Sequence, residues 1–311
     1  MLQVALAGIE SLSGVSGTVK KAAVTNLKRW LSDDTFQDYR PAIVSMIERG
    51  QFDLLVDSFY QVIPFGTGGR RGPVGVGPNR INPWTIATSV QGHVRYLRGR
   101  FGEAHKLSVV IAYDVRAYND RRGNYDNEVP LPVRGWTSRD FAELAARVYA
   151  ANDVIAHIQP RGDAHYMSTP ELAFAIRYLN ASAGLNVSAS HNHPDDNGGK
   201  FYNHLGGQEI PPDDEALVNA VALVGKVNTI SWEAAVSSSF ISLISEVIHQ
   251  GYTAHIVEHQ TGVTPLAKVV FTGLHGTGTT SVVPVLLAAG FSVSEVAEQA
   301  DTDGDFPTVP F

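Results

Sequence analysis

The spacing of apolar residues divides the first hundred positions into helices separated by a glycine-rich segment. Leu27, Trp30 and Leu31 share one helical face, and similar spacing continues through the first sixty residues, which are therefore predicted to be helical. After the glycine-rich segment, Asn82 and Pro83 have the residue types typical of a helix cap and a first helical position. The pattern predicts a further helix from that point.

Strands and helices then alternate. Apolar runs of strand length cover 107–113, 153–158 and 185–189, and they are separated by helical patterns that open near Thr137 and at Thr169. Strands with little polar alternation are typical of parallel sheets that carry helices on both faces. This part of the chain is predicted to form a three-layer α/β domain.

The last third of the chain shows a weaker version of the same alternation. Residues 213–260 are mostly helical in pattern, and strands are predicted at 267–272 and 291–296 on either side of a helix at 281–289. The pairs Gly206-Gly207 and Pro211-Pro212 indicate a boundary between two units near 207–213.

Composition narrows the classes of function. The chain has 311 residues, no cysteine, 24 Lys and Arg against 31 Asp and Glu, and 44% hydrophobic residues. Without cysteine there is no disulfide, thiolate metal site or cysteine nucleophile. The net charge of -7 argues against a nucleic-acid partner, although an arginine-lined pocket could still bind an anionic substrate. There is no secretory leader pattern or membrane-length apolar run, so a cytoplasmic protein without a membrane partner is expected.

The segment 188–200 is the richest in candidate chemistry. Ser190 lies just beyond a predicted buried strand, where ligand sites of open α/β sheets occur. His191 is adjacent, and Lys200 follows after Asn197-Gly198-Gly199, a turn that could fold the lysine back towards the serine. An ordinary connecting loop has the same composition, so both interpretations stay open at this point.

Three further segments carry weaker signals. The glycine-rich loop 66–72, with Arg71, could present backbone N–H groups and a guanidinium to an anion, but structural glycine turns look the same. Asp114 and Arg116 follow a strand and could hold the serine loop, touch a phosphate, or form a surface ion pair. Residues 275–279 could form an anion site at a helix start or a tight turn for packing.

Taken together and in this order, these segments resemble the α-D-phosphohexomutases, the phosphoglucomutase/phosphomannomutase superfamily. The likeness is greatest to the branch with phosphoglucomutase-2-type and phosphopentomutase enzymes. The matching segments are Phe65–Arg71, Asn79–Asn82, Gln91–Gly92, Ser188–His193 with Asn197–Lys200, Leu274–Gly278 and Asp303–Val309. The resemblance runs from about Leu27 to the end of the chain.

Four positions depart from the family pattern. Arg70 stands where the family has leucine, and Ser188 replaces threonine. His193 replaces a proline, and Gly199 stands where a larger side chain is common. None of these changes removes a reacting group.

The resemblance implies a fold and a domain order. It implies an α/β fold in which a three-layer α/β/α phosphohexomutase domain I is followed by an incomplete, similar domain II. Residues 1–60 would be a helical extension packed on domain I, 61–208 would be domain I with the phosphoserine loop, and 209–311 would be domain II. Domain II is expected to stop before the family's metal-binding loop.

The resemblance also implies an activity, the reversible transfer of phosphate between C1 and C6 of a hexose phosphate, or C1 and C5 of a pentose. The phosphate would pass through a phosphoserine and a bisphosphate intermediate. The residues implied to be catalytic are Ser190, His191, Lys200 and Arg71. Those implied to bind substrate or phosphate are Thr67, Gly69, Arg71, Asn192 and Arg116.

The same resemblance implies Mg²⁺, held by Ser190 through its phosphate and by three aspartates, and glucose 1,6-bisphosphate or a similar primer. The partners implied are small sugar phosphates. Asp301–Asp305 is interpreted as the start of the family's Asp-Gly-x-Phe-Pro segment rather than as the metal loop, because Phe306-Pro307 follows directly. The chain by itself is therefore expected to lack mutase turnover, and its sequence carries no signal for an oligomeric state.

Two functions of other classes are also considered. One is a non-catalytic sugar-phosphate-binding or regulatory module built from the same domain. The other is an α/β hydrolase that uses Ser190 and His191, which is disfavoured because the sequence has no Gly-x-Ser-x-Gly elbow at Ser190.

Overall fold

A computed structural model describes residues 1–66, 68–260, 262 and 265–310. The helices within these ranges are α1 (Leu2–Ser11), α2 (Gly17–Ser32), α3 (Arg40–Glu48), α4 (Phe52–Phe59), α5 (Pro83–Phe101), α6 (Ser138–Ala150), α7 (Thr169–Tyr178), α8 (Asp213–Ala222), α9 (Trp232–Ser237), α10 (Glu246–Glu258) and α11 (Gly278–Ala288), with 3₁₀ segments at Asp34–Tyr39 and Ala297–Gln299. Among these helices, none combines the length and apolar character needed to cross a membrane.

The strands form two sheets. They are β1 (Gly69–Pro73), β2 (Ser108–Tyr113), β3 (Ile155–Ile158), β4 (Ala183–Val187), β5 (Asp196–Asn203), β6 (Ile241–Leu243), β7 (Lys268–Phe271) and β8 (Ser292–Glu295). The order in the larger sheet is β1-β5-β4-β2-β3-β6, with β4, β2, β3 and β6 parallel and β5 antiparallel to both neighbours. Strands β7 and β8 form a separate parallel pair.

The central strand β2 shows why helices cover both faces of the larger sheet. Val109 and Ile111 belong to one buried cluster, which also contains apolar residues of α5 and α6. Val110 and Ala112 belong to a second cluster with apolar residues of α7 and α10. Because successive side chains of a strand point to opposite faces, an unbroken apolar strand requires a helix layer on each side. The predicted three-layer α/β/α fold is confirmed.

The helical first sixty residues pack against the start of α5 through aromatic contacts. Trp30 of α2 stacks on Phe36 with ring centroids 4.1 Å apart, and its ring lies 6.0 Å from that of Trp84 at the start of α5. Helix α5 begins as predicted, because the Asn82 side chain accepts a hydrogen bond from Thr85 and the Thr85 hydroxyl accepts one from the Asn82 backbone.

Three strands were not predicted by the spacing of apolar residues. Strands β1 and β5 lie in segments that were predicted to be loops, because their glycine content is typical of turns. The glycines serve close strand packing instead, since a Cβ on Gly198 would lie 2.2 Å from the Arg70 carbonyl oxygen. Strand β6 has three residues and lies within a region with a helical pattern. Since β6 pairs with β3, the larger sheet extends beyond residue 208, and the division into domains stays a prediction.

A buried histidine in α5 makes the stability of this fold sensitive to acid. His93 has no exposed surface and packs on Phe201. Its Nδ1 atom forms a hydrogen bond of 2.7 Å with the Tyr149 hydroxyl. Burial lowers the pKa of His93 to about 3 from an ordinary 6.5. Below pH 6.5 the unfolded chain therefore binds a proton that the folded chain does not, so acidification favours unfolding.

The His93→Gln variant is expected to have a weaker pH dependence of the unfolding free energy between pH 6.5 and pH 5 than the wild-type chain. The histidine contributes a slope of at most about 1.4 kcal/mol per pH unit, which glutamine cannot contribute because it does not titrate. Urea unfolding at several pH values measures this slope. Exposed His259→Gln is the control and should leave it unchanged. Equal slopes in His93→Gln and wild type would contradict the prediction.

Candidate active site

Ser190 lies on a tight turn just after β4. Its backbone has a φ of 59°, in the left-handed region that non-glycine residues seldom adopt, and its side chain is exposed. The Ser190 N–H donates to the Ser188 hydroxyl at 2.9 Å, and that hydroxyl donates to the Asp114 carboxylate at 2.7 Å. Two hydrogen bonds therefore stabilise a strained turn that exposes the Ser190 hydroxyl to solvent.

Arg116 holds the same loop from beneath. Its guanidinium is 2% exposed and donates to Asp114 at 3.1 Å. It also donates to the backbone carbonyls of the serine loop, namely those of Ser190, Asn192, His193 and Asp196. Arg116 was expected to bind phosphate, but in this arrangement its donors are used within the protein, and its geometry is that of a loop-positioning residue.

Two carboxylates complete the support of the loop. Asp195 is buried and accepts backbone hydrogen bonds from Arg121 at 3.0 Å and Arg122 at 2.8 Å. Asp114 also accepts from the Ser138 hydroxyl at the start of α6. The roles of Ser138 and Asp195 were missed by sequence reasoning, since serine, aspartate and arginine at these separations carry no signal that they meet.

The serine pocket is the cavity of about 270 Å³ in front of Ser190, lined also by His191, Gly276, Thr277 and Phe306. His191 Nδ1 lies 3.3 Å from the Ser190 hydroxyl oxygen. Thr277, which also lines the pocket, is the N-terminal cap of α11, and its side chain makes no capping hydrogen bond. Free N–H groups at a helix start attract anions, so the start of α11 complements a phosphate in this pocket.

The turn that precedes α11 is held by His275. This side chain is buried, with Nδ1 3.0 Å from the Asp301 carbonyl oxygen and Nε2 2.9 Å from the Thr308 hydroxyl. Its backbone is left-handed, with a φ of 63°. Residues 275–277 therefore form a packed turn that also faces the serine pocket, so the two interpretations considered from the sequence are compatible.

Two of the predicted cationic residues, Arg71 and Lys200, line a second cavity. This basic groove, of about 460 Å³, is lined by Gly69, Arg71 and Lys200 with Phe65 and Arg70. Burial, with a smaller effect of the Arg71 charge, lowers the pKa of the Lys200 ammonium group. A depressed pKa on a partly buried lysine is common where an anion or a proton-transferring group binds.

The serine pocket and the basic groove have no lining residue in common. Lys200 lies opposite Asn186 in the β4–β5 pair, four positions before Ser190, because residues 196–203 form a strand. The predicted turn at Asn197-Gly198-Gly199 is therefore wrong, because these residues are part of β5 and the chain turns back before them. Thr67, also expected to bind phosphate, lies outside the described residues.

The remaining predicted residues have structural partners. Asn192 donates from its side chain to the Asp196 carboxylate at 2.9 Å, within the serine loop. Arg70, where the family pattern has leucine, is buried, lies 4.5 Å from the Phe65 ring and donates to the Ser89 hydroxyl. Desolvation lowers the pKa of Arg70 to about 10.

The described residues around Ser190 do not by themselves fit Mg²⁺. Asp114 is the one carboxylate that lines the serine pocket in the described part of the chain, and three side chains already donate to it. Asp305 is engaged by Arg121 and Asn119. Mg²⁺ prefers several oxygen ligands in octahedral geometry, which this set does not offer.

The residues around Ser190 are similar to a known protein family. Residues 136–226, from α6 through the serine loop to α8, match "Phosphoglucomutase/phosphomannomutase, alpha/beta/alpha domain I". A phosphoglucomutase of Staphylococcus saprophyticus is 32% identical over 81% of this chain and 42% of its own length. A phosphopentomutase of Mus musculus is 31% identical over 91% of this chain and 44% of its own length.

A solved structure of the Paramecium exocytosis-sensitive phosphoprotein parafusin, a phosphoglucomutase, superposes with a TM-score of 0.58. It is 19% identical and covers 78% of this chain and 44% of its own, so it supports the fold alone. The chain spans less than half the length of the curated relatives described above. With the serine loop inside the matched domain and relatives of one kind over most of its length, this chain is similar to the phosphoglucomutase/phosphomannomutase family.

Proposed function

We propose that this chain carries the phosphoryl-accepting serine of a phosphohexomutase. In the complete reaction, phosphate moves reversibly between C1 and C6 of a hexose phosphate through a phosphoserine and a sugar bisphosphate. The observation that carries the proposal is the Ser190 turn, which is strained, hydrogen-bonded from below and exposed in a pocket that faces the start of α11. The similarity to phosphoglucomutases and phosphomannomutases supports the same chemistry.

The chemical step needs a nucleophile, a proton acceptor and charge stabilisation. The Ser190 oxygen attacks phosphorus, so that its bond to phosphorus forms as the bond from phosphorus to the sugar oxygen breaks. The serine proton passes to His191 Nδ1, which lies 3.3 Å away, and from there to the departing sugar oxygen. The N–H groups at the start of α11 stabilise the phosphoryl oxygens.

The basic groove is proposed to hold the part of the substrate that does not react. Arg71 and Lys200 supply the cations, and Gly69 allows β1 to approach β5 closely enough to form the groove, since a Cβ there would lie 2.1 Å from the Gly199 carbonyl oxygen. Asn192 and Arg116 are proposed to position the loop. Mg²⁺ and glucose 1,6-bisphosphate are implied by the family resemblance.

Phosphoserine formation tests the proposal directly. After incubation of the chain with glucose 1,6-bisphosphate and Mg²⁺, the intact mass is expected to rise by about 80 Da. Ser190→Ala should show no increase, and the exposed Ser237→Ala control should behave as wild type. A gain that persists in Ser190→Ala, or no gain in wild type, would refute the role of Ser190.

A second candidate is a binding or regulatory module that holds sugar phosphate without turnover. It is favoured by the basic groove, because Arg71 and Lys200 can bind a phosphate there without contact to the serine pocket. A coupled assay from glucose 1-phosphate to glucose 6-phosphate is expected to show no turnover for the 311-residue chain. Calorimetric binding of glucose 6-phosphate without a mass increase would favour the module, whereas a mass increase at Ser190 favours the mutase half-reaction.

A further inference from the structure

A second cluster of polar side chains lies between α7, α10 and the connection 159–168 that joins β3 to α7. Glu171 Oε1 lies 2.9 Å from His165 Nε2 and 3.2 Å from His249 Nδ1. The two imidazole rings are 4.0 Å apart, and one ligand atom from each of the three residues falls within 4.8 Å of the others. In the described part of the chain this is the one group of three such side chains.

The burial of Glu171 makes this arrangement costly unless a positive charge is present. Its side chain has no exposed surface, and the two histidines are only 18% and 20% exposed. A carboxylate removed from water is strongly unfavourable without a compensating cation. Both imidazoles turn a nitrogen towards the same carboxylate, which is the donor set, two nitrogens and one oxygen, that Zn²⁺ prefers in sites with three protein ligands.

An independent observation comes from Gln159 at the end of β3. Its side chain is 2% exposed, and its amide oxygen is buried without a hydrogen-bond partner, although its amide nitrogen donates to the His165 carbonyl. Gln159 lines the same cavity of about 270 Å³ as the three cluster residues. A buried acceptor of this kind needs a donor, and a water bound to a metal would supply one.

We propose that His165, Glu171 and His249 bind a divalent transition-metal ion of the Zn²⁺ class, with water in the open position. Around tetrahedral Zn²⁺, neighbouring ligand atoms are about 3.4 Å apart, so separations of 2.9 and 3.2 Å need only small side-chain adjustments. The two histidine nitrogens, which lie within 4.8 Å of each other, would also have to reach this spacing. The site is distinct from the serine pocket and does not depend on the proposed function.

The role that the position of this metal supports is structural. It would link α10 to α7 and to the connection 159–168 that leads into α7, and Glu171 and His249 are 78 positions apart in the chain. Met167 lines both this cavity and the serine pocket, so a metal at the cluster would fix the segment that separates them. The competing explanation is a protonated histidine that compensates Glu171 without any metal.

A metal-binding measurement on the tag-free chain distinguishes a bound metal from a protonated histidine. After treatment with a chelator, equilibrium dialysis against Zn²⁺ at pH 7.5 is expected to give one saturable ion per chain and a higher melting temperature. His165→Ala and His249→Ala should each weaken binding by at least about 10-fold. His259→Ala, an exposed histidine just after the same helix α10, should bind as wild type.

X-ray absorption of the wild-type zinc form provides a measurement that does not depend on variants. It should report a nitrogen and oxygen first shell with scattering from two imidazole rings. The proposal is overturned if wild type binds no stoichiometric Zn²⁺, if His165→Ala and His249→Ala bind as tightly as wild type, or if fewer than two imidazoles surround the metal.

Discussion

Arg116→Met is expected to lower the free energy of unfolding by about 3 kcal/mol or more, and to reduce phosphoserine formation at Ser190. Removing one partner of a buried ion pair leaves the other charge without compensation, which costs more than the pair contributes to stability. Here the partner is Asp114, whose side chain is 14% exposed. The carbonyl groups of four residues in the serine loop lose a donor at the same time.

Urea denaturation and intact mass after bisphosphate treatment measure the two effects. Arg95→Met is the matched control, because Arg95 is exposed and donates to one backbone carbonyl, so its replacement should cost less than about 1 kcal/mol. Arg116→Lys keeps the positive charge but loses the planar guanidinium. Its loss of unfolding free energy should lie between those of Arg116→Met and Arg95→Met. A loss below about 1 kcal/mol in Arg116→Met, with normal phosphorylation, would show that the loop does not depend on this residue.

Gly198→Ala is expected to destabilise the protein by about 3 kcal/mol, whereas Gly199→Ala should cost less than about 1 kcal/mol. A Cβ on Gly198 would lie 2.2 Å from the Arg70 carbonyl oxygen and 2.7 Å from the Arg71 Cα. Backbone cannot move aside without displacing β1 from β5. A Cβ on Gly199 would meet the ends of two side chains, Leu185 at 3.2 Å and Ile86 at 3.9 Å, and the end of a side chain can rotate away.

The two glycines are adjacent on β5, so chain entropy and strand propensity change by similar amounts in both variants. The difference in urea midpoint at constant m-value isolates the steric contribution. Gly198→Ala should also weaken sugar-phosphate binding, because Arg71 lies on β1 and Lys200 on β5. Equal stability of the two variants would mean that β1 can shift without cost.

Local patterns in the sequence were sufficient for elements whose signals are short-range. Asn82 predicts the start of α5 because a cap and its partner lie three residues apart. The unbroken apolar run of β2 predicts a strand covered on both faces, which the two clusters around Val109 and Val110 confirm.

Strands rich in glycine could not be found in the same way. In strand β5, Gly198 and Gly199 allow close pairing with the neighbouring strands β1 and β4. Close approach of strands does not produce a periodic pattern of apolar residues, so the sequence alone did not predict this strand. Strand β6 depends on its pairing with β3, more than eighty residues earlier along the chain.

By itself, the sequence determined the order of layers, the nucleophile candidate Ser190 and the family resemblance, because these depend on local periodicity and on motifs in chain order. Only the tertiary structure decided that Arg116 holds the serine loop while Arg71 and Lys200 line a separate groove. It also brought His165, Glu171 and His249 together. Roles of this kind depend on distances between residues far apart in sequence, which are set by strand register and helix packing.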